Sequence, residues 1–238
     1  MHRIEVINTI IEKKGKSLTY IEIGVRNGKC FFFIDARRRI AIDPLFVIER
    51  RTYWNAYKTR PWQWLHDSFF PVTSDEFFKN KRALLQKARP GVVFIDGLHT
   101  YDQSLKDAVN ALEFIDTGGI IIMHDCNPTS EAVAHPAESY EAAKNMNLPN
   151  WRNVWAGDVW KTIVHLQTMA GLEVFVLDTD FGLGIIRKSA GTRARLGLSH
   201  EQIKQLSYAD LEINRVEYLN LKPKEFFIDF VKTVTHGN

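Results

Sequence analysis

Tyr20-Ile21-Glu22-Ile23-Gly24-Val25-Arg26-Asn27-Gly28-Lys29 is the stretch on which the reading of this chain turns. Its first half is apolar apart from one acid, the pattern of a short buried strand. Gly24 lets the backbone turn at the strand's end, and Gly28 lets it enter a following helix without a side chain in the way. Free amides at such a helix N-terminus can approach a ligand, so the segment reads as a cofactor-binding turn at the carboxyl end of a strand. The spacing also discriminates. A dinucleotide fingerprint needs Gly-x-Gly-x-x-Gly, but position 26 is Arg and position 29 is Lys, which leaves a pyrophosphate without its cradle and disfavours NAD.

Outward from this turn, short β-branched or apolar runs alternate with helix-like stretches, the signature of an α/β protein whose parallel sheet is covered on both faces. Strands are expected at residues 18–23, 40–43, 70–73, 92–96, 120–124, 172–178 and 183–188, and helices near 4–14, 29–36, 75–88, 101–115 and 159–170. Only Asp178-Thr179-Asp180-Phe181-Gly182 joins the last two strands, too short for a crossover helix, so these two form an antiparallel hairpin.

Two segments interrupt the alternation. Residues 49–64 crowd Trp54, Tyr57, Trp62 and Trp64 among Arg50, Arg51, Lys58 and Arg60, and read as an insertion packing its rings against the sheet edge rather than as a base-stacking surface. Residues 127–155 carry Pro128, Pro136 and Pro149, follow a strand end and read as a lid over a site. The tail, 189–238, is charged, has helical periodicity at 201–214 and 223–234, and is assigned to capping or dimer packing. The chain is thus one domain with its core at 17–188.

Nineteen residues beyond Gly24, Asp43 closes the second strand. A carboxylate there can accept both vicinal hydroxyl protons of an adenosine ribose, because the two strands are neighbours. The third strand ends in Thr73-Ser74-Asp75; Ser74 serves equally well as a helix cap, so Asp75 is the group offered to an adenine.

The chemistry is expected at the ends of the fourth and fifth strands, where Val92-Val93-Phe94-Ile95-Asp96 runs into Gly97-Leu98-His99 and Ile120-Ile121-Ile122-Met123 runs into His124-Asp125. Adjacent strands lie about 4.8 Å apart, so Asp96 and Asp125 face one pocket. Two converging carboxylates repel unless a proton, a base or a divalent cation sits between them, and oxygen donors favour magnesium, manganese or calcium over zinc. His99, three residues past Asp96, can take the proton of a substrate hydroxyl. His124 is open between a third metal ligand, a partner that orients a ligand, and a core histidine bonded to backbone.

Glu22, Gly24, Gly28 and Asp43 resemble the first two motifs of the class I S-adenosylmethionine-dependent methyltransferases, with Arg26 standing where many members carry another Gly. The resemblance implies a Rossmann-like seven-stranded sheet with a reversed last strand. Phe94-Ile95-Asp96-Gly97-Leu98-His99-Thr100-Tyr101, Asp107, Gly118-Gly119 and His124-Asp125-Cys126-Asn127-Pro128 are similar to the metal-dependent sugar O-methyltransferases of the macrocin and mycinamicin pathways. That likeness implies a metal held at Asp96, His124 and Asp125 and a base at His99, with His124 departing from the acidic pair of the family.

The implied activity is methyl transfer from S-adenosylmethionine to a hydroxyl of a small polar molecule, a sugar or glycosylated metabolite, assisted by Mg2+ or another divalent cation. An NAD-type oxidoreductase and a non-catalytic binding module of the same fold are the alternatives. Composition agrees: 31 Lys+Arg against 28 Asp+Glu gives +3, and Arg37-Arg38-Arg39 is too short to track a phosphate backbone, so nucleic acid is not expected. No membrane partner or membrane span is expected either, the N-terminus lacks the apolar core of a secretory signal, and the chain is placed in the cytoplasm, with a homo-oligomer left open. Cys30 and Cys126 are read as reduced and buried.

Overall fold

A computed structural model describes residues 1–235; the last three residues of the expected tail lie outside it. Eight strands form one sheet: β1 (Thr19–Ile23), β2 (Arg38–Ile42), β3 (Asp67–Phe70), β4 (Val92–Ile95), β5 (Ile120–Met123), β6 (Leu172–Leu177), β7 (Leu183–Lys188) and β8 (Leu221–Lys222). Their order is β3-β2-β1-β4-β5-β7-β6-β8. β7 is antiparallel to both its neighbours, as the short hairpin connection requires, and the other pairings are parallel. The expected count of seven is one short. β8 is two residues long and carries no alternation to read; it joins β6 where the Asn220 amide donates to the Val174 carbonyl at 2.8 Å.

Strand parity divides the core. Ile21, Ile40, Val93 and Ile121 face one side, with α3 (Ser74–Asn80), α4 (Arg82–Ala88), α5 (Tyr101–Phe114) and α8 (Trp160–Leu166) contributing apolar side chains there. Tyr20, Ala41, Phe94 and Ile122 face the other, covered by α1 (Arg3–Lys14) and α11 (Phe226–Lys232). α1 illustrates the local logic: His2 and Glu5 close a capping box, Lys13 and Lys14 complement the C-terminal dipole, and Val6, Ile7, Ile10 and Ile11 form its buried stripe. The remaining helices are α2 (Arg50–Thr59), α6 (Glu131–Ala134), α7 (Tyr140–Asn145), α9 (His200–Gln205) and α10 (Tyr208–Leu219).

Three local expectations fail. No α-helix follows β1; a single 3-10 turn, Phe31–Phe33, stands in place of the helix at 29–36, so Gly28 does not enter a helix. Arg39 explains the substitution. Its buried guanidinium donates through Nη1 to the carbonyls of Phe31 and Ile34, both at 3.0 Å, and through Nε and Nη2 to Asp67 at 2.9 and 2.6 Å. Carbonyls that a helix would satisfy internally are taken by a side chain. The same pair draws β3 back to Asp67–Phe70 from the expected 70–73, where Thr73 is instead the N-cap of α3. The helix expected at 75–88 divides into α3 and α4 at Lys81.

Candidate active site

The ladder hydrogen bonds continue past the strand ends and bring the Gly24 turn and the acidic loops to one edge. Gly24 N–H donates to Ile42, Asp96 N–H to Ile23 and His124 N–H to Ile95, at 2.9, 2.9 and 3.0 Å. A cavity of about 900 Å³ opens along this edge, lined at one end by Glu22, Gly24, Asp43 and Asp75 and at the other by Arg3, Asp96 and His99. Ser139, Tyr140 and Trp155 of the 127–155 segment also line it.

Gly24 (φ 87°) is required by proximity as well as by conformation, since a Cβ there would stand 2.0 Å from the Asp96 carbonyl oxygen. Arg26 takes the left-handed conformation that glycine favours, at φ 46°. Its N–H donates to Asp43 at 2.7 Å, and Leu45 N–H donates to the other Asp43 oxygen at 2.8 Å. Asp43 therefore ties the turn to the end of β2, and each oxygen keeps a lone pair for the cavity. Glu22 is fully buried; burial pushes its carboxyl up to about 8, although a 2.5 Å hydrogen bond donated by the Tyr20 hydroxyl opposes the rise. Asp75 lies half-exposed at the start of α3, accepting from Gln103 at 3.1 Å. Gln103 also reaches the buried Asp107 at 3.0 Å, so the far end of the cavity holds a polar cluster of which only Asp75 was expected.

At the other end, seven side chains interlock. His99 Nδ1 donates to the Trp155 carbonyl at 2.9 Å, and its Nε2 faces Asp96 Oδ1 at 3.4 Å. The Trp155 ring stacks on the imidazole with centroids 5.2 Å apart, fixing His99 from the side of the 127–155 segment. His124 Nδ1 lies 3.1 Å from Asp125 Oδ2 and 3.4 Å from Asp96 Oδ1. Asp125 adopts φ 59°, a left-handed conformation at a non-glycine residue.

Two members lie outside the expected site residues. Asp180, in the β6–β7 turn, faces His124 Nε2 at 3.5 Å, and Arg3 joins Asp180 to Asp96 Oδ2, through Nε at 3.0 Å and Nη1 at 2.8 Å. Burial would raise the Asp96 carboxyl, but the imidazoles of His124 and His99 prevail and hold it well below the carboxylate range. Burial would likewise lower His124, and Asp96 and Asp125 push it well above the usual histidine value instead.

A divalent cation fits this donor set. Asp96, His124 and Asp125 each offer a ligand atom, all within 4.8 Å of one another, and both ring nitrogens of His124 are buried without a hydrogen-bond partner. Arg3 holds the Oδ2 atom of Asp96 and leaves Oδ1 facing His124. Two carboxylates and an imidazole suit manganese, iron or zinc better than magnesium, which binds imidazole poorly.

Residues 21–126 match the family described as Methyltransferase domain. No curated protein matches the chain. Among solved structures, a protein of Corynebacterium glutamicum is 16% identical, covering 83% of this chain and 82% of that one at a TM-score of 0.53. The SAH-bound methyltransferase PaMTH1 of Podospora anserina is 15% identical over 78% and 76% of the two chains, at 0.52. TomG of Streptomyces achromogenes, an O-methyltransferase of tomaymycin synthesis in complex with SAM, is 11% identical over 78% and 79%, at 0.50. At these identities the likeness is one of fold. The matched stretch runs from β1 to the end of β5 and contains every expected site residue.

Proposed function

We propose that the chain transfers a methyl group from S-adenosylmethionine to a hydroxyl of a small polar acceptor, a sugar or glycosylated metabolite. One observation carries this reading: a single cavity joins the acidic, glycine-turned end at Glu22, Gly24 and Asp43 to the acid–base end at Asp96 and His99. Asp43 would accept the ribose hydroxyls, and the Gln103–Asp75–Asp107 cluster would meet the adenine. Arg26 and Lys29 stand where a pyrophosphate cradle needs glycine, which speaks against the oxidoreductase alternative.

The sulfonium is a strong electrophile already, so the protein's task is to align and deprotonate the acceptor and to exclude water. His99 is built for the proton. The Trp155 carbonyl can only accept, so Nδ1 carries the hydrogen and Nε2 is the basic atom. Once protonated, the ring is held by Asp96 at Nε2 and by Trp155 below its plane. The acceptor oxygen attacks the methyl carbon as the carbon–sulfur bond breaks, and its proton passes to His99. Asp96, Asp125 and His124 would hold a divalent cation, which when bound makes a coordinated hydroxyl more acidic. These residues support an enzyme over a non-catalytic module.

The test is methyl transfer from S-adenosylmethionine labelled in the methyl group to a panel of glycosides and free sugars. Label should appear on a hydroxylated acceptor with the wild-type protein and fall to background with His99→Ala. Transfer only to amines or thiols would overturn the O-methylation reading.

A further inference from the structure

The 49–64 insertion departs from its expected role in one respect that points outward. Tyr53 and Tyr57 do pack inward, on Phe32 at ring distances of 5.4 and 5.8 Å. The three tryptophans do not: Trp54, Trp62 and Trp64 are 70%, 75% and 61% exposed. None of their indole N–H groups has a hydrogen-bond partner among the described residues. Arg50, Arg51 and Lys58, also exposed, line up with Trp54 at helical spacing on the outer face of α2 and pair with no carboxylate among the described residues.

We propose that this surface docks peripherally on an anionic lipid bilayer. Tryptophan, apolar in body with one N–H to satisfy, is the side chain that settles at headgroup depth, where both needs are met. Unpaired Arg and Lys on the same helix face supply attraction to anionic headgroups, and an amphipathic helix with tryptophan and basic residues is the form interfacial anchors take. A buried protein interface would desolvate three cations for which the structure provides no counter-charge. No helix among the described residues is long and apolar enough to span a membrane, so the contact is one of surface. The chain runs directly from the cavity wall at Leu45 and Val47, themselves 70% and 49% exposed, into α2, which places the docking segment next to the cavity rim.

The experiment is co-sedimentation of the full chain with large vesicles, either phosphatidylcholine alone or mixed with phosphatidylglycerol, at low and high salt. Pelleting is expected on the mixed vesicles only, weakened by salt, with a blue shift of tryptophan fluorescence. Removing each of Arg50, Arg51 and Lys58 should weaken binding roughly fivefold. The Trp54→Ser, Trp62→Ser, Trp64→Ser triple variant should lose it while keeping the wild-type thermal midpoint. Failure of the wild-type chain to pellet on mixed vesicles overturns the proposal. So does equal pelleting on both vesicles, or a wild-type dimer that the triple variant abolishes without any vesicle binding.

Discussion

The backbone carbonyl of Trp155 accepts from His99 Nδ1 at 2.9 Å, so a residue 56 positions away fixes Nδ1 as the donor of that imidazole. The stacked indole and Gly157, whose Cβ would stand 1.8 Å from the His99 carbonyl oxygen, hold the same loop from the same side. His99 is therefore positioned by the end of the segment that borders the cavity.

His99→Ala should lower kcat by roughly 10²–10⁴, the usual yield of a positioned general base, while leaving cofactor affinity within a factor of about two. Steady-state rates on an acceptor found in the labelling panel, set beside calorimetric titration of S-adenosylmethionine, separate the two quantities. Loss of cofactor binding in this variant would show that His99 serves structure or binding instead.

The donor set at Asp96, His124 and Asp125 predicts tighter binding of Mn2+ than of Mg2+. Titration followed by Mn2+ electron paramagnetic resonance should show one site in the wild-type chain and none in Asp125→Asn. His124→Ala should narrow the preference for manganese. Equal affinity for the two ions would remove His124 from the ligand set.

Glu22 gives a pH signature. Its folded carboxyl titrates at about 8, above the ordinary glutamate value, because it is buried. The folded state thus holds a proton that the unfolded chain releases near pH 4.5, and stability falls as pH rises from there through about 8. Glu22→Gln should flatten this slope: relative to wild type, it gains stability at pH 9 compared with pH 5. Parallel chemical-denaturation curves across that range would contradict the assignment.

The sheet was legible because its strands are buried on both faces and separated by clear turn residues, and the hairpin because five residues cannot cross a sheet. Asp43, Asp96, His99 and Asp125 could be read because adjacent parallel strands must deliver their ends to one edge. The missing helix after β1 could not, since it depends on Arg39 reaching carbonyls five and eight residues back and a carboxylate 28 residues ahead. Arg3 is a comparable case: 93 residues of sequence separate it from Asp96, and 177 from Asp180. Asp180 did have a signal, an acid in the tight turn that follows a strand's carboxyl end, but the hairpin reading used that turn only for its length.

Arg39→Met should destabilise the fold by about 3–5 kcal/mol, because it leaves the Asp67 carboxylate buried, strips the Ile34 carbonyl of its donor and leaves the Phe31 carbonyl with the Ile34 N–H alone. Adding Asp67→Leu should recover part of that loss. Urea unfolding of the single and double variants checks both values, and a single variant as stable as wild type would remove the pair from the account of the β1–β2 connection.

Calorimetric titration of S-adenosylmethionine and of NADH into the wild-type chain and into Asp43→Ala tests the central claim most directly. Saturable binding of one S-adenosylmethionine per chain is predicted, with roughly ten- to a hundredfold loss in the variant, as removal of hydrogen bonds to a charged group entails, and no heat from NADH. Binding of NADH in place of S-adenosylmethionine, or of neither, would contradict it.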